Sequence, residues 1–163
     1  ILRQDPDSLL VGEVRDLETA QIAVEASLTG HIVFSTLHTN DAPSAIARLL
    51  DLGVEPFLVS ATLEAIVAQR LVRRICPKCK TDMPATEEML FELNLTPDMV
   101  KGKRFCYGKG CENCNKTGYR GRMALYEIML LTDRIKELVM EKQSTDHLRR
   151  IARAWLGHCT WLC

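Results

Sequence analysis

Two short apolar runs stand out in the first third of the chain. Residues 8–14 (SLLVGEV) and 32–37 (IVFSTL) are mostly apolar without strict alternation, which predicts two buried strands. Between them, apolar positions recur at helical spacing, with Asp16 as the expected N-cap and Gly30 as the expected end. Two buried strands joined by such a helix predict a βαβ unit with parallel strands and a right-handed crossover. The fold class expected from this pattern is α/β.

Further helices are predicted by caps followed by apolar positions three or four residues apart. The segment from Pro56 is expected to be helical through Ile66 and Val67. A short helix after Thr86 is expected within the polar stretch that separates the two cysteine pairs. The other helix starts are expected at Asn40 or Asp41, at Thr132 and at Thr145.

Four of the seven cysteines form two C-x-x-C pairs, Cys76 with Cys79 and Cys111 with Cys114. Each pair places two thiols on one side of a tight turn, and two such turns can complete a tetrahedral Zn²⁺ site. The sequence shows no export signal, which favours metal ligation over disulfides. The zinc site is expected to be structural rather than catalytic, and the alternatives to zinc are two unrelated reduced cysteine pairs or redox-active C-x-x-C motifs. Cys106 is expected to be a buried apolar residue, and the alternative is that it replaces one of the four ligands.

Composition and charge narrow the classes of function. The chain has 163 residues, 21 basic and 21 acidic side chains, and no apolar run long enough to span a membrane. Because nucleic-acid binding usually requires a basic excess, nucleic acid is not the expected partner. The alternative, a zinc ribbon that binds nucleic acid or another protein, would use Lys78, Lys80, Lys101, Lys103, Arg104 and Lys109.

An acid and two histidines mark the ends of the predicted strands. Glu13 ends the first apolar run, where a nucleotide hydrolase holds the carboxylate that orients water and works with Mg²⁺. A purely structural ion pair with Arg15 is the alternative. His31 and His38 bracket the second run, and His38 is expected at the carboxyl edge, which faces the ligand crevice in parallel sheets. Either histidine could instead be structural.

Several segments occur in a distinctive order along the chain. LRQDPD (2–7) and VGEVRD (11–16) precede STLHTN (35–40), the cysteine pairs and TGYRGR (117–122). Together they resemble the ATPases of type II secretion and type IV pilus assembly, from residue 1 to about residue 153. Residues 11–16 resemble the Walker B region of that family, and residues 35–40 resemble its histidine box.

The resemblance implies a RecA-like P-loop ATPase core, hexameric, on the cytoplasmic face of the inner membrane. Such motors use ATP and Mg²⁺, and they act with inner-membrane platform proteins to extrude pilus or pseudopilus subunits. By the same resemblance, Glu13 is the catalytic carboxylate and His38 senses the γ-phosphate, with His31 in support. Arg3 and Arg15 are the candidates for charge stabilisation.

The resemblance also divides the chain into three parts. Residues 1–72 correspond to the end of the RecA-like domain, residues 73–122 to a four-cysteine zinc module, and residues 123–163 to a final strand and helices, with an atypical tail after residue 153. The cysteine module favours extrusion over retraction. The phosphate-binding motif G-x-x-x-x-G-K-[ST] does not occur in the sequence, so the chain alone is not expected to hydrolyse ATP.

Overall fold

The computed structural model describes residues 6–156, and side-chain surroundings through residue 152. Arg3 and residues 157–163 of the atypical tail lie outside the described part. In chain order the strands and helices are β1 (Ser8–Val11), α1 (Leu17–Leu28), β2 (Ile32–Ser35), α2 (Ala42–Asp51), α3 (Pro56–Thr62), β3 (Ala65–Ile75), β4 (Lys80–Met83), α4 (Glu87–Glu92), α5 (Pro97–Val100), β5 (Phe105–Gly108), β6 (Tyr119–Leu130), α6 (Asp133–Met140) and α7 (Thr145–Leu156).

The predicted βαβ unit forms at the start of the chain. Strands β1 and β2 are parallel, in a register that runs from Ser8 opposite Ile32 to Val11 opposite Ser35. Asp16 caps α1, and its carboxylate accepts a hydrogen bond from the Thr19 N–H at 2.8 Å. The α/β class and the parallel pairing predicted from the sequence are therefore confirmed.

The two strands are less buried than the sequence predicts. The side chains of Leu10 and Phe34 are 79% and 61% exposed. Within the described part of the chain, β1 and β2 form a sheet of two strands only. Parallel sheets are normally covered on both faces. A sheet of only two strands lacks this full cover, so some of its apolar side chains stay in solvent.

The helix predicted from Pro56 ends earlier than expected. Helix α3 stops at Thr62, and Ile66 and Val67 lie on the long strand β3. Strand β3 pairs with β6. Apolar residues at these positions suit either a helix or a strand, and the β-branched side chains of Ile66 and Val67 favour the strand once a partner is present.

The described residues form two compact units, and the division falls within β3 and β6. The core unit comprises the residues up to Arg70 together with those from Leu125 onward, and the cysteine unit comprises Leu71–Ala124. The hydrophobic core lies in the core unit, where α2, α3, α6 and α7 pack around it. Its most deeply buried side chains include Ile46, Val59, Met129, Ile135, Leu138 and Val139.

The last two helices begin close to the predicted positions. Thr132 is the N-cap residue of α6, as predicted. Thr145 is the first residue of α7 rather than its cap, and the hydroxyl of Ser144 accepts the hydrogen bond from the His147 N–H at 3.3 Å. No helix in the described part is both long and apolar enough to cross a lipid bilayer.

The cysteine unit is built around a short hairpin and two turns. Strands β4 and β5 pair antiparallel, from Lys80 opposite Gly108 to Met83 opposite Phe105. The insert between them contains α4 and α5, and Thr86 caps α4 as predicted, accepting from the Met89 N–H at 3.3 Å. A short 3-10 helix follows at Glu112–Cys114.

Candidate functional site

The carboxyl ends of β1 and β2 remain connected beyond the strands themselves. The Val14 N–H donates to the Thr36 carbonyl oxygen at 3.0 Å, and the Thr36 hydroxyl donates to the Gly12 carbonyl oxygen at 2.7 Å. These bonds hold the segment with Glu13 beside the loop that follows β2. The arrangement matches the position where parallel α/β sheets bind ligands.

Glu13 is held between two basic side chains. Arg15 places Nε at 2.7 Å and Nη2 at 2.6 Å from Glu13 Oε2, and His38 Nε2 lies 2.9 Å from Glu13 Oε1. The hydrogen bond from Arg15 lowers the pKa of Glu13, against the smaller opposing effect of burial, and the charges of Arg15 and His38 lower it further. Glu13 is therefore an ionised hydrogen-bond acceptor at neutral pH.

An open pocket of about 450 Å³ lies over this pair of strand ends. The side chain of Glu13 is 21% exposed there, whereas His38 is 86% exposed. Arg48, in the last turn of α2, also lines the pocket and is not predicted by any sequence motif. The pocket thus combines one carboxylate, one imidazole and two guanidinium groups, a set that can contact anionic oxygens and a water molecule. Its lining residues are Glu13, Val14, Arg15, Leu37, His38 and Arg48.

His31 is not brought together with Glu13. It precedes β2, at the end of the strand opposite to His38. Its Nδ1 lies 3.1 Å from the Ala26 carbonyl oxygen and 3.0 Å from the Thr29 hydroxyl. A protonated Nδ1 would donate to that carbonyl, so the imidazole covers the last turn of α1.

The four paired cysteines converge in the cysteine unit. The sulfur atoms of Cys76, Cys79, Cys111 and Cys114 all lie within 4.8 Å of one another. Cys76 is 3.9 Å from Cys111, Cys79 is 3.9 Å from Cys114, and Cys111 is 3.7 Å from Cys114. A tetrahedral Zn²⁺ with bonds of about 2.3 Å would place its sulfurs about 3.8 Å apart. The donor set and its spacing therefore fit zinc.

Polar groups around the cluster favour the thiolate form of Cys76 and Cys114, whereas burial raises the pKa of Cys79 to about 12. The N–H groups of Cys111 and Gly118 lie 3.2 and 3.3 Å from Cys114 Sγ, and the Asn113 amide lies 3.6 Å from Cys76 Sγ. The hydrogen bond from the Cys111 N–H is the main cause that lowers the pKa of Cys114 to about 6. Metal ligation requires the thiolate form, so these donors suit a metal site.

Cys106 lies outside this cluster and is not fully buried, contrary to the expectation from its apolar neighbours. It sits on β5, opposite Asp82, and its thiol donates to the Asp82 carboxylate at 3.2 Å. This hydrogen bond is the main cause that raises the pKa of Cys106. The side chain therefore behaves as a partly exposed polar group rather than as a core residue.

Comparison with solved structures shows the same fold in known ATPases. The pilus retraction motor PilT with bound ADP matches with a TM-score of 0.55 and 24% identity, over 99% of this chain and 38% of that chain. The ATPase DotB of Yersinia pseudotuberculosis matches with a TM-score of 0.60 and 22% identity, over 94% of this chain and 31% of that chain.

Curated relatives are considerably more similar in sequence. The type IV pilus assembly ATPase PilB of Myxococcus xanthus is 52% identical over 153 residues, which cover 93% of this chain and 27% of the relative. The type II secretion system protein E of Aeromonas hydrophila is 49% identical over 163 residues, which cover 94% of this chain and 32% of the relative. The chain therefore spans about a third or less of these relatives.

The family comparison covers nearly the whole chain. The model described as "Type II/IV secretion system protein" matches residues 1–159. The chain belongs to the type II/IV secretion system protein family.

Proposed function

We propose that this chain is part of a motor ATPase that powers type II protein secretion or type IV pilus assembly by hydrolysing ATP. The observation that carries the proposal is the position of Glu13. Its carboxylate lies at the carboxyl end of β1, between Arg15 and His38, in a chain whose relatives are named as secretion and pilus assembly ATPases.

Each residue of the pocket has a distinct proposed role. Glu13 is the catalytic carboxylate: its lowered pKa keeps it ionised, so that it can accept a proton or hydrogen bond from the attacking water. His38 contacts the γ-phosphate. Its imidazole is exposed and lies within hydrogen-bond reach of Glu13, the proposed catalytic carboxylate. Arg15 and Arg3 stabilise developing negative charge, and Mg²⁺ would neutralise the phosphates.

We propose that the core unit is one part of a larger RecA-like core. Exposed apolar side chains on β1 and β2, such as Leu10 and Phe34, support this proposal, because a parallel sheet normally buries them. The phosphate-binding motif is absent from the sequence, and backbone N–H groups of that motif supply most phosphate contacts. The 163-residue chain alone is therefore inactive in this proposal.

The four cysteines are proposed to hold a structural Zn²⁺. Among the described residues of the cysteine unit, only Cys76, Leu90 and Cys114 are buried apolar residues. Such a small apolar core supplies little folding free energy, and small domains of this kind commonly depend on a metal. Zinc bound by Cys76, Cys79, Cys111 and Cys114 would supply that free energy.

We propose the assembly and the location by resemblance to secretion and pilus assembly ATPases. The motor would be a homo-hexamer at the cytoplasmic face of the inner membrane, in contact with platform proteins of the secretion or pilus machinery. The cysteine unit favours extrusion of subunits over retraction. His31 is proposed to support His38 only indirectly, because it bonds to Ala26 and Thr29 at the other end of β2.

The test uses a chimeric ATPase in which this chain replaces the aligned stretch of the M. xanthus relative, which is 52% identical. We expect Glu13→Gln to lower the rate of ATP hydrolysis by about a hundredfold or more, since it removes the anionic acceptor. Glu18→Gln on the exposed start of α1 is the matched control and should leave the rate unchanged. Unchanged hydrolysis in the Glu13 variant would refute the proposal.

A second candidate function is favoured by the charge of the cysteine unit. Residues 71–124 contain eleven lysines and arginines against six acidic residues, although the whole chain is neutral. This basic excess fits a zinc-ribbon module that binds nucleic acid without ATPase activity. Titration of the 163-residue chain with DNA and RNA at several salt concentrations decides between this function and the motor proposal. The motor proposal expects no steeply salt-dependent binding.

A further inference from the structure

The histidine loop, residues 36–41, joins β2 to α2 and carries His38. The imidazole of His38 is 86% exposed, so packing contributes little to its position. Its placement beside Glu13 depends on the backbone of the loop. The first part of the loop is fixed by Thr36, which exchanges hydrogen bonds with the backbone of Gly12 and Val14.

Two arginines from distant parts of the chain hold the second part of the histidine loop. Arg70, on β3, donates from Nη2 to the Asn40 carbonyl oxygen at 3.0 Å. Arg149, on α7, donates from Nη2 to Asp41 Oδ2 at 3.0 Å, across 108 positions of sequence. Both Arg149 and Asp41 are less than one third exposed, so solvent screens this pair less than a surface ion pair.

Glu127 holds the residue that follows the loop. Its Oε2 accepts a hydrogen bond from the N–H of Ala42, the first residue of α2, at 2.9 Å. The side chain of Glu127 is 2% exposed, and it is the one charged residue buried to this degree in the described part of the chain. Burying a carboxylate costs free energy, and its contact with a helix N-terminus, which attracts negative charge, offsets part of that cost.

We propose that Glu127 and Arg149 are positioning residues for His38, an inference that rests on the function proposed above. Glu127 contacts Ala42 and Arg149 contacts Asp41, where the histidine loop joins α2. Both residues act on His38 only through the backbone of the loop. By fixing this end, they keep the imidazole within reach of Glu13 and of the γ-phosphate site. The sequence gives no local signal of this role, because the partners are 85 and 108 residues apart.

The first test measures whether Arg149 acts through His38 in the chimeric ATPase. We expect Arg149→Met to lower kcat about fivefold or more, the effect of losing a hydrogen bond to a charged group. In a His38→Ala background the same substitution should change kcat by less than about twofold. Arg150→Met, at the exposed neighbouring position of α7, is the matched control. An equal loss of kcat in both backgrounds would overturn the proposal.

The second test examines the loop itself in the 163-residue chain, without ATP. Amide hydrogen exchange of residues 36–44 should become about tenfold faster or more in Arg149→Met and in Glu127→Leu, and remain unchanged in Arg150→Met. Unchanged exchange in the first two variants would overturn the proposal. This result is independent of the Glu13→Gln experiment, in which unchanged hydrolysis refutes the ATPase function and not the anchoring of the loop.

Discussion

The carboxylate of Asp41 makes three kinds of contact at once. It accepts hydrogen bonds from the Ser44 N–H at 2.9 Å and the Ser44 hydroxyl at 2.6 Å, and it pairs with Arg149 at 3.0 Å. Burial alone would raise the pKa of Asp41, but these contacts together lower it below its usual value of 3.8. At the scale of one residue, the same carboxylate therefore caps α2 and joins it to α7.

The lowered pKa of Asp41 predicts a pH-dependent contribution to stability. Because the folded-state pKa lies below the unfolded value, the contribution is present above pH 3.8 and is lost as pH falls through the folded pKa. Asp41→Asn keeps an N-cap acceptor but removes the charge. We expect the variant to be less stable than the parent at about pH 6, with the difference shrinking toward about pH 3.

Urea unfolding of the 163-residue chain at both pH values measures this difference. Asp51→Asn, at the other end of α2, is the control for loss of a carboxylate that does not contact Ser44 or Arg149. A gap for Asp41→Asn that is equal at both pH values would contradict the linkage to the Asp41 pKa.

At the scale of elements, caps are decided locally, whereas the pairing of β3 with β6 is not. Asp16 and Thr86 cap their helices through side-chain bonds to residues three positions later, a pattern visible in the sequence. The segment containing Ile66 and Val67 suits either a helix or a strand, and its pairing with β6 decides for the strand. In the cysteine unit, Gly108 and Gly118 permit a close approach of two backbone segments.

Gly108 and Gly118, which flank the turn that carries Cys111 and Cys114 in the sequence, approach each other closely. Gly118 has φ of +78°, and a Cβ at this position would overlap the Gly108 carbonyl oxygen. Gly121 has a similar φ of +77°, but a Cβ there would meet no atom within 4 Å. We expect Gly121→Ala to cost roughly 1–2 kcal/mol from backbone strain alone, and Gly118→Ala to cost more because of the added overlap.

The comparison of these two variants isolates the overlap from the strain. Thermal unfolding monitored in the cysteine unit should show a larger loss of stability for Gly118→Ala than for Gly121→Ala. The zinc content after purification should also be lower for Gly118→Ala. Equal losses for the two variants would mean that the close approach of Gly118 to Gly108 does not matter for stability.

At the scale of the whole molecule, the two units are stabilised by different means. The hydrophobic core belongs to the core unit and combines residues from α2, α3, α6 and α7. The cysteine unit has few buried apolar side chains among its described residues, and two of these, Cys76 and Cys114, belong to the four-sulfur cluster. The first unit is expected to fold by burial of apolar surface, and the second by binding metal.

Removal of metal should therefore affect the two units differently. We expect a strong zinc chelator to abolish amide protection in residues 71–124 while protection at Ile46, Leu138 and other core positions persists. Hydrogen exchange with and without chelator measures this, and Cys111→Ser should reproduce the chelated state. Cys106→Ser is the control, since Cys106 is not part of the cluster. Protection that persists in both units without metal would contradict the proposal of a structural zinc.

The sequence by itself determined the local features of this protein. Parallel strands joined by α1, the helix caps, the two C-x-x-C turns and the position of Glu13 after β1 all depend on residues close together in the chain. Periodicity and capping report such short-range interactions directly. The family was identified separately, from a resemblance carried by several motifs in order along the chain.

Only the tertiary structure decided which distant residues meet. It joined the C-terminal helices to the first part of the chain, placed Arg48 in the Glu13 pocket and left His31 at the opposite end of β2. It also brought Arg149 to Asp41 at the end of the histidine loop and Glu127 to Ala42, the residue that follows it. These contacts bridge up to 108 residues, and no short-range pattern encodes them because packing and strand pairing are satisfied only in the assembled fold.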